Sequence, residues 1–152
     1  MNFLQKLLVS MLFFVQLQVQ GYFQHTGQNV SDIIEISADD LKSQMEHKSD
    51  VYVINVLNKT SFNDCHITGS IHVPVDQLKK YARKKLQNGT WSKDSNIIIY
   101  CASNECPLSN HGYKLLRKLG FTNVQAYEGG MRNWYQKGYP HQGKCKAGYL
   151  RG

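Results

Sequence analysis

Apolar positions along this chain fall into short β-branched runs separated by stretches with helical spacing. Val51-Tyr52-Val53-Ile54-Asn55-Val56 is nearly all apolar, the pattern of a strand buried on both faces of a parallel sheet. Ile97-Ile98-Ile99-Tyr100-Cys101 repeats it. Shorter runs at Ile33-Ile34-Glu35-Ile36, Ser70-Ile71-His72-Val73-Pro74 and Val124-Gln125-Ala126-Tyr127 also read as strands. Between the runs the spacing changes. Leu41 and Met45 mark a helix to about Lys48, with Ser37 or Asp39 as its cap. Leu78, Ala82 and Leu86 fall on one face of a helix that Asp76 can cap. Leu108, Leu115 and Leu119, with Leu116 beside them, form a third apolar stripe, which Gly120 ends. Gly129-Gly130 breaks the last strand, and Met131 to Lys137 makes a short final helix. A loop with a short helix fills residues 57–69. Strands thus alternate with helices, which argues an α/β fold: a mainly parallel sheet with helices on both faces.

The first 21 residues follow a different rule. Lys6 is their only charge, Leu7 to Val15 is a short apolar run, and Val19-Gln20-Gly21 offers a cleavage site. This is the pattern of a secretory signal peptide, and the run is short for a membrane span. An uncleaved N-terminal anchor is the alternative. Export is therefore expected: periplasmic in a bacterium, secreted otherwise. Residues 22–32 read as a polar linker, 33–143 as one domain and 144–152 as a C-terminal tail. At 152 residues with 41% hydrophobic and 19% charged positions, the chain can bury a core, and neither disorder nor a collagen-like fibre fits.

The formal charge of +7 is concentrated at Lys79, Lys80, Arg83, Lys84 and Lys85. These occupy the outer positions of the second helix and read first as a solvated face. No zinc-finger spacing, RNA-binding aromatic signature or Arg-rich arm accompanies them, so no nucleic-acid partner is expected. Asn29, Asn58 and Asn88 match the glycan-acceptor motif, which matters only in a eukaryotic secretory pathway.

Chemistry concentrates at Cys101. A strand that ends on a cysteine just before a helix places a thiol where backbone N–H groups and the helix dipole favour negative charge. Such surroundings lower a thiol pKa and make a nucleophile. Pro107 suits the helix start, where a missing N–H costs little. Cys106 lies five residues after Cys101, close enough to act as a resolving or second thiol or to pack at the base of the loop. Cys65 and Cys145 either pair or remain free. No second Cys/His pair completes a zinc site with Cys65-His66, and no metal or other cofactor is expected. His66 and His72 read as packing residues, and His111 as a neighbour able to tune the loop.

Several separated motifs together resemble the rhodanese family. Val53-Ile54-Asn55-Val56, then His66-Ile67-Thr68-Gly69-Ser70 and a strand ending at Pro74, is similar to the family's Asp-Val-Arg, His-Ile-x-Gly-Ala and strand-Pro sequence. Tyr100-Cys101 opening a loop into a helix resembles the family's active-site loop. Leu119-Gly120-Phe121, Val124, Tyr127, Gly129-Gly130 and Trp134 resemble its C-terminal signature, followed by Gly138-Tyr139-Pro140. The resemblance covers roughly residues 33–143 and implies a single rhodanese-like domain with a five-stranded, mainly parallel sheet. It also implies a sulfurtransferase in which Cys101 carries sulfane sulfur as a persulfide. The partners would be a small donor such as thiosulfate and an acceptor thiol, either small or on a protein.

The chain departs from that pattern in its active-site loop, Ala102, Ser103, Asn104 and Glu105 through Cys106. This loop is longer than the common one and has no Arg or Lys. Glu105 adds a carboxylate that, pointing inward, disfavours a dianionic donor and raises the thiol pKa. Asn55 and Leu57 replace the usual Asp and Arg. Cys106 matches a long-loop variant with a second cysteine. A phosphatase on the related fold would need an Arg where Pro107 stands. Three functions stay open: sulfur transfer or carriage on Cys101, a catalytically inactive partner-binding module, and a Cys101/Cys106 thiol–disulfide redox protein.

Overall fold

A computed structural model describes residues 32–48 and 50–151; the signal-peptide or anchor segment and nearly all of the linker lie outside them. The elements in order are α1 (Ala38–His47), β1 (Val51–Asn55), α2 (Lys59–Asp64), β2 (Cys65–Ile67), β3 (Ile71–His72), α3 (Val75–Gln87), β4 (Asn96–Tyr100), α4 (Leu108–Lys118), β5 (Val124–Tyr127), α5 (Gly130–Gln136), β6 (His141–Gly143) and a 3-10 turn at Gly148–Leu150.

The main sheet has four parallel strands in the order β3-β1-β4-β5. The fifth strand, expected at residues 33–36, is reduced to a parallel bridge between Glu35 and Ala126. Two backbone bonds hold it: Ile36 N–H donates to Ala126 O, and Ala126 N–H to Ile34 O. At the edge beyond β5 one short pairing satisfies this segment before Ser37 turns the chain into α1. Ser37 is the cap of α1, its Oγ accepting from Asp40 N–H at 3.1 Å. Asp76 does not cap α3. That helix starts at Val75, two residues earlier than a cap at Asp76 would place it, with Pro74 in the cap position and Asp76 in the first turn.

Strand periodicity divides the core in two. Ile54, Val56, Ile97, Ile99, Cys101, Val124 and Ala126 pack with Leu78 and Ala82 of α3 and Tyr113 and Leu116 of α4. Val53, Ile98, Tyr100 and Tyr127 pack with Leu41 of α1 and with Met131 and Trp134 of α5 on the other face. Because successive strand residues alternate, Cys101 inherits the α3/α4 side from Ile97 and Ile99.

A second, two-stranded antiparallel sheet joins β2 to β6, neither of which the apolar pattern marks. It brings Cys65 beside Cys145, and the two form a disulfide across 80 residues, with Cα atoms 4.6 Å apart. The chain crosses the end of α2 closely here: a side chain at Gly143 would place its Cβ 2.1 Å from Asp64 O, at a φ of +111°. Asp64 then accepts from the amides of Lys146 and Ala147. Leu150 is buried in the α1/α5 core. Residues 144–151 are thus packed onto the domain.

Candidate active site

The site begins with the way β4 ends. Tyr100 is fully buried, and its hydroxyl accepts from Ile67 N–H at 3.0 Å and lies 2.8 Å from Ser70 Oγ. This pins the strand terminus to β2. One residue later the chain leaves the sheet, and α5 holds it there. Met131 N–H donates to Cys101 O and Arg132 N–H to Ala102 O, both at 2.9 Å. The approach is so close that a Cβ on Gly130 would lie 2.6 Å from Ser103 N and 2.8 Å from Cys101 O, at a φ of +61°. The loop then turns back through Cys106 N–H donating to Ser103 O and enters α4 at Leu108.

Cys101 and Cys106 are unbonded thiols. The Cys101 sulfur is buried, 3.1 Å from Cys106 O and 3.4 Å from Ser109 Oγ. Burial pushes this thiol up to about 11, and the Cys106 thiol adds to the effect. The hydroxyl and the amide of Ser109 pull the other way. The lowered thiol pKa expected from position alone is therefore not realised in the resting site. The physical reason is that desolvation outweighs the donors supplied by the helix start, and the carbonyl at 3.1 Å favours the S–H form.

The loop residues divide by exposure. Ala102 and Cys106 pack partly against the α3/α4 core. Ser103 is buried and donates its hydroxyl to Glu105. Asn104 and Glu105 are exposed. Glu105 does not act as an uncompensated inward charge. Arg132 Nη1 contacts its two carboxylate oxygens at 2.9 and 3.1 Å. The Ser103 hydroxyl, first, and then the loop backbone and Arg132 hold this carboxyl below its usual range. The cation missing from the loop is supplied by α5, 27 residues away in sequence.

Arg132 also donates through Nε to Tyr149 O, linking the loop to the 3-10 turn after Cys145. The Tyr149 hydroxyl is buried and has no hydrogen-bond partner among the described residues. Burial, followed by the Asp64 carboxylate, pushes it up to about 12. Sequence reasoning missed Arg132, Tyr149 and the role of Ser109. Only Ser109 had a local signal, its place in the first turn after the cysteine loop. His66 and His72 bond to the carbonyls of Phe62 and Leu57 and serve the scaffold. His111 is exposed on α4 rather than set against the sulfur. Among the described residues no group of three or more His, Cys, Asp or Glu side chains is placed to hold a metal ion. None of the described helices is long and apolar enough to cross a membrane.

A parallel α/β sheet whose central strand ends in an enclosed cysteine loop defines the rhodanese class, and the chain belongs to the rhodanese-like domain family, whose model matches residues 37–137. Relatives carry names in sulfur chemistry. A thiosulfate:glutathione sulfurtransferase of Saccharomyces cerevisiae is 29% identical over 120 residues, covering 74% of this chain and 85% of its own. A Bacillus subtilis protein named "Putative sulfur carrier protein YrkF" is 27% identical over 114 residues, 75% of this chain. The match spans only 57% of that relative's length. Among solved structures, the rhodanese-like domain of Anabaena protein Alr3790 superposes with a TM-score of 0.64 at 28% identity, covering 78% of this chain and 85% of that one.

Proposed function

We propose that this protein is an exported sulfurtransferase or sulfur carrier that holds sulfane sulfur on Cys101. The observation that carries the reading is an unbonded thiol at the end of the central strand, facing the Ser109 hydroxyl and amide. The names of its relatives favour the same chemistry. The Cys65–Cys145 disulfide supports export, since such bonds persist in oxidising compartments, and the N-terminal sequence points the same way.

In loading, the Cys101 thiolate attacks the sulfane sulfur of the donor. A bond forms to Sγ, the donor's own bond to that sulfur breaks, and the remainder leaves with the electron pair, as sulfite when the donor is thiosulfate. In unloading, an acceptor thiolate attacks the outer sulfur of the persulfide. The Sγ–S bond breaks, and Cys101 recovers the electron pair and takes up the proton that the acceptor gave up. Ser109 donates to the anionic sulfur in both steps. Cys106 offers a second route. Its thiolate attacks Sγ of the loaded Cys101, a Cys101–Cys106 disulfide forms, and hydrosulfide leaves.

The test is intact mass of the reduced protein after incubation with thiosulfate, an inorganic polysulfide or glutathione persulfide. A gain of one sulfur atom that Cys101→Ser abolishes is the expected result. Loss of two hydrogens requiring both cysteines, with no sulfur adduct under any donor even in Cys106→Ser, where a persulfide could not be resolved, would point to the redox protein instead. No change with any donor would leave the partner-binding module.

A further inference from the structure

The cations of this protein are not treated alike. Lys42, Lys137 and Arg132 are each paired with a carboxylate. Arg117 bonds the carbonyls of Phe121 and Thr122. The side chains of Lys79 and Arg83 of α3 and Lys114 and Lys118 of α4 make neither an ion pair nor a hydrogen bond among the described residues, and all four residues are exposed. They line a groove of about 830 Å³ between the two helices, with Pro107, Leu115 and Leu119 as its apolar lining, and among the described residues no carboxylate lines it.

The arrangement has a direction. Lys79 and Arg83 stand four apart on α3, as Lys114 and Lys118 do on α4, so each pair lies on one helix face. They make two cationic rails over an apolar floor. From Pro107 to Leu119 the groove runs about 18 Å along α4 at the rise of a helix, the span of roughly five or six extended residues. Its Pro107 end is the residue after Cys106, and Cys101 packs on this same side of the sheet. The floor argues against a sulfated sugar, which has no aliphatic side chains to bury there. Among the described lining residues His111 carries the only aromatic ring, which argues against stacked bases. An extended acidic segment fits: carboxylates reach the rails while alternate aliphatic side chains meet Leu115 and Leu119.

We infer that the groove between α3 and α4 docks an acidic, aliphatic segment of a protein partner, and that this partner is the acceptor whose thiol meets Cys101. The second clause rests on the sulfur-carrier reading; the docking does not.

The experiment uses fluorescence anisotropy with a labelled eight-residue peptide of alternating Glu and Leu. A Lys-for-Glu counterpart and a heparin octasaccharide serve as rival probes. The paired reversals Lys79→Glu/Arg83→Glu and Lys114→Glu/Lys118→Glu are compared with Lys144→Glu/Lys146→Glu, which makes the same charge change on exposed lysines outside the groove. Each groove pair is expected to weaken the acidic peptide about tenfold or more, and the control pair less than about threefold. Thermal melts report folding, and Cys101 loading from thiosulfate should be unchanged in all variants. Equal weakening by the control pair would show attraction to net charge alone and overturn the proposal. Tighter binding of the octasaccharide, lost in the same groove variants, would overturn it too, in favour of a polyanion site. A wild type that binds the peptide but takes no sulfur from any donor would overturn the acceptor clause and the sulfur-carrier reading while the docking stands.

Discussion

The four cysteines form two pairs with opposite arrangements. Cys65 and Cys145 are 80 residues apart and bonded. Cys101 and Cys106 are five residues apart and free. Nearness in sequence would suggest the reverse. The distant pair meets because β2 and β6 form their own small sheet, which aligns Cys65 with Gly143 and carries the chain over α2. The near pair is unbonded across a tight turn: Cys106 N–H bonds to Ser103 O, the Cys106 carbonyl lies 3.1 Å from the Cys101 sulfur, and the Cys106 thiol is close enough to add to burial in pushing the Cys101 pKa up. One pair fastens the scaffold, while the other leaves two thiols unbonded.

The sharpest break in this comparison is at Cys101. Cys101→Ser should remove all sulfur uptake in the intact-mass assay while leaving the thermal midpoint close to wild type. Cys106→Ser should keep the adduct and lose only the internal disulfide that follows it. The scaffold pair should behave the other way. Cys145→Ser, or full reduction, is expected to cost about 4.5 kcal/mol, the chain-entropy value for a loop of this length, read by denaturant melts with and without reductant. A large effect of Cys145→Ser on sulfur loading at a temperature where the protein stays folded would erase the division of roles.

Gly130→Ala tests the point where scaffold and loop touch. The added Cβ meets backbone at 2.6 to 2.8 Å in a left-handed conformation. A loss of about 3 kcal/mol is expected from overpacking and strain together, accompanied by slower Cys101 alkylation as the loop shifts.

The pH dependence of the free pair separates thiol from thiolate. With Cys101 pushed up to about 11, its reaction with iodoacetamide should keep rising with pH instead of levelling off near 9. The linked stability has the matching sign. The raised folded value means that the protonated thiol's contribution is fully present below the unfolded pKa and is lost as pH rises through the folded one. A plateau in alkylation near neutrality would show that the helix start overcomes burial. The smallest effect belongs to Arg132→Met. A pair whose carboxylate is exposed is screened by solvent, so the thermal midpoint should change little. Loading from dianionic thiosulfate should fall more than loading from a persulfide carrying a single charge, because Glu105 is then uncompensated beside the loop.

How much of this was legible in the chain depends on the range of the interaction. β1 and β4 announced themselves through β-branched runs, since strands buried on both faces must be largely apolar, while β5 was marked by the shorter mixed run Val124-Gln125-Ala126-Tyr127. α3 and α4 announced themselves through their leucines. The short pieces were not legible: β2 and β6 have three residues each, too few for a period, and the segment at 33–36 has the composition of a strand but only one bridge. In the site, Cys101 was placed by local pattern alone. Arg132 was not, because a salt bridge over 27 residues leaves no local mark.

The sequence by itself determined the alternation of main-sheet strands with helices, the family signature and the cysteine at the end of the central strand. These follow from hydrophobic periodicity and short-range turn chemistry, which act between residues close in the chain. Only the tertiary structure decided which cysteines bond, which cation answers Glu105 and whether the Cys101 thiol is acidic at rest. Each of those depends on distances across the fold and on how completely water is excluded, and burial at Cys101 outweighed the helix start that its sequence position promised.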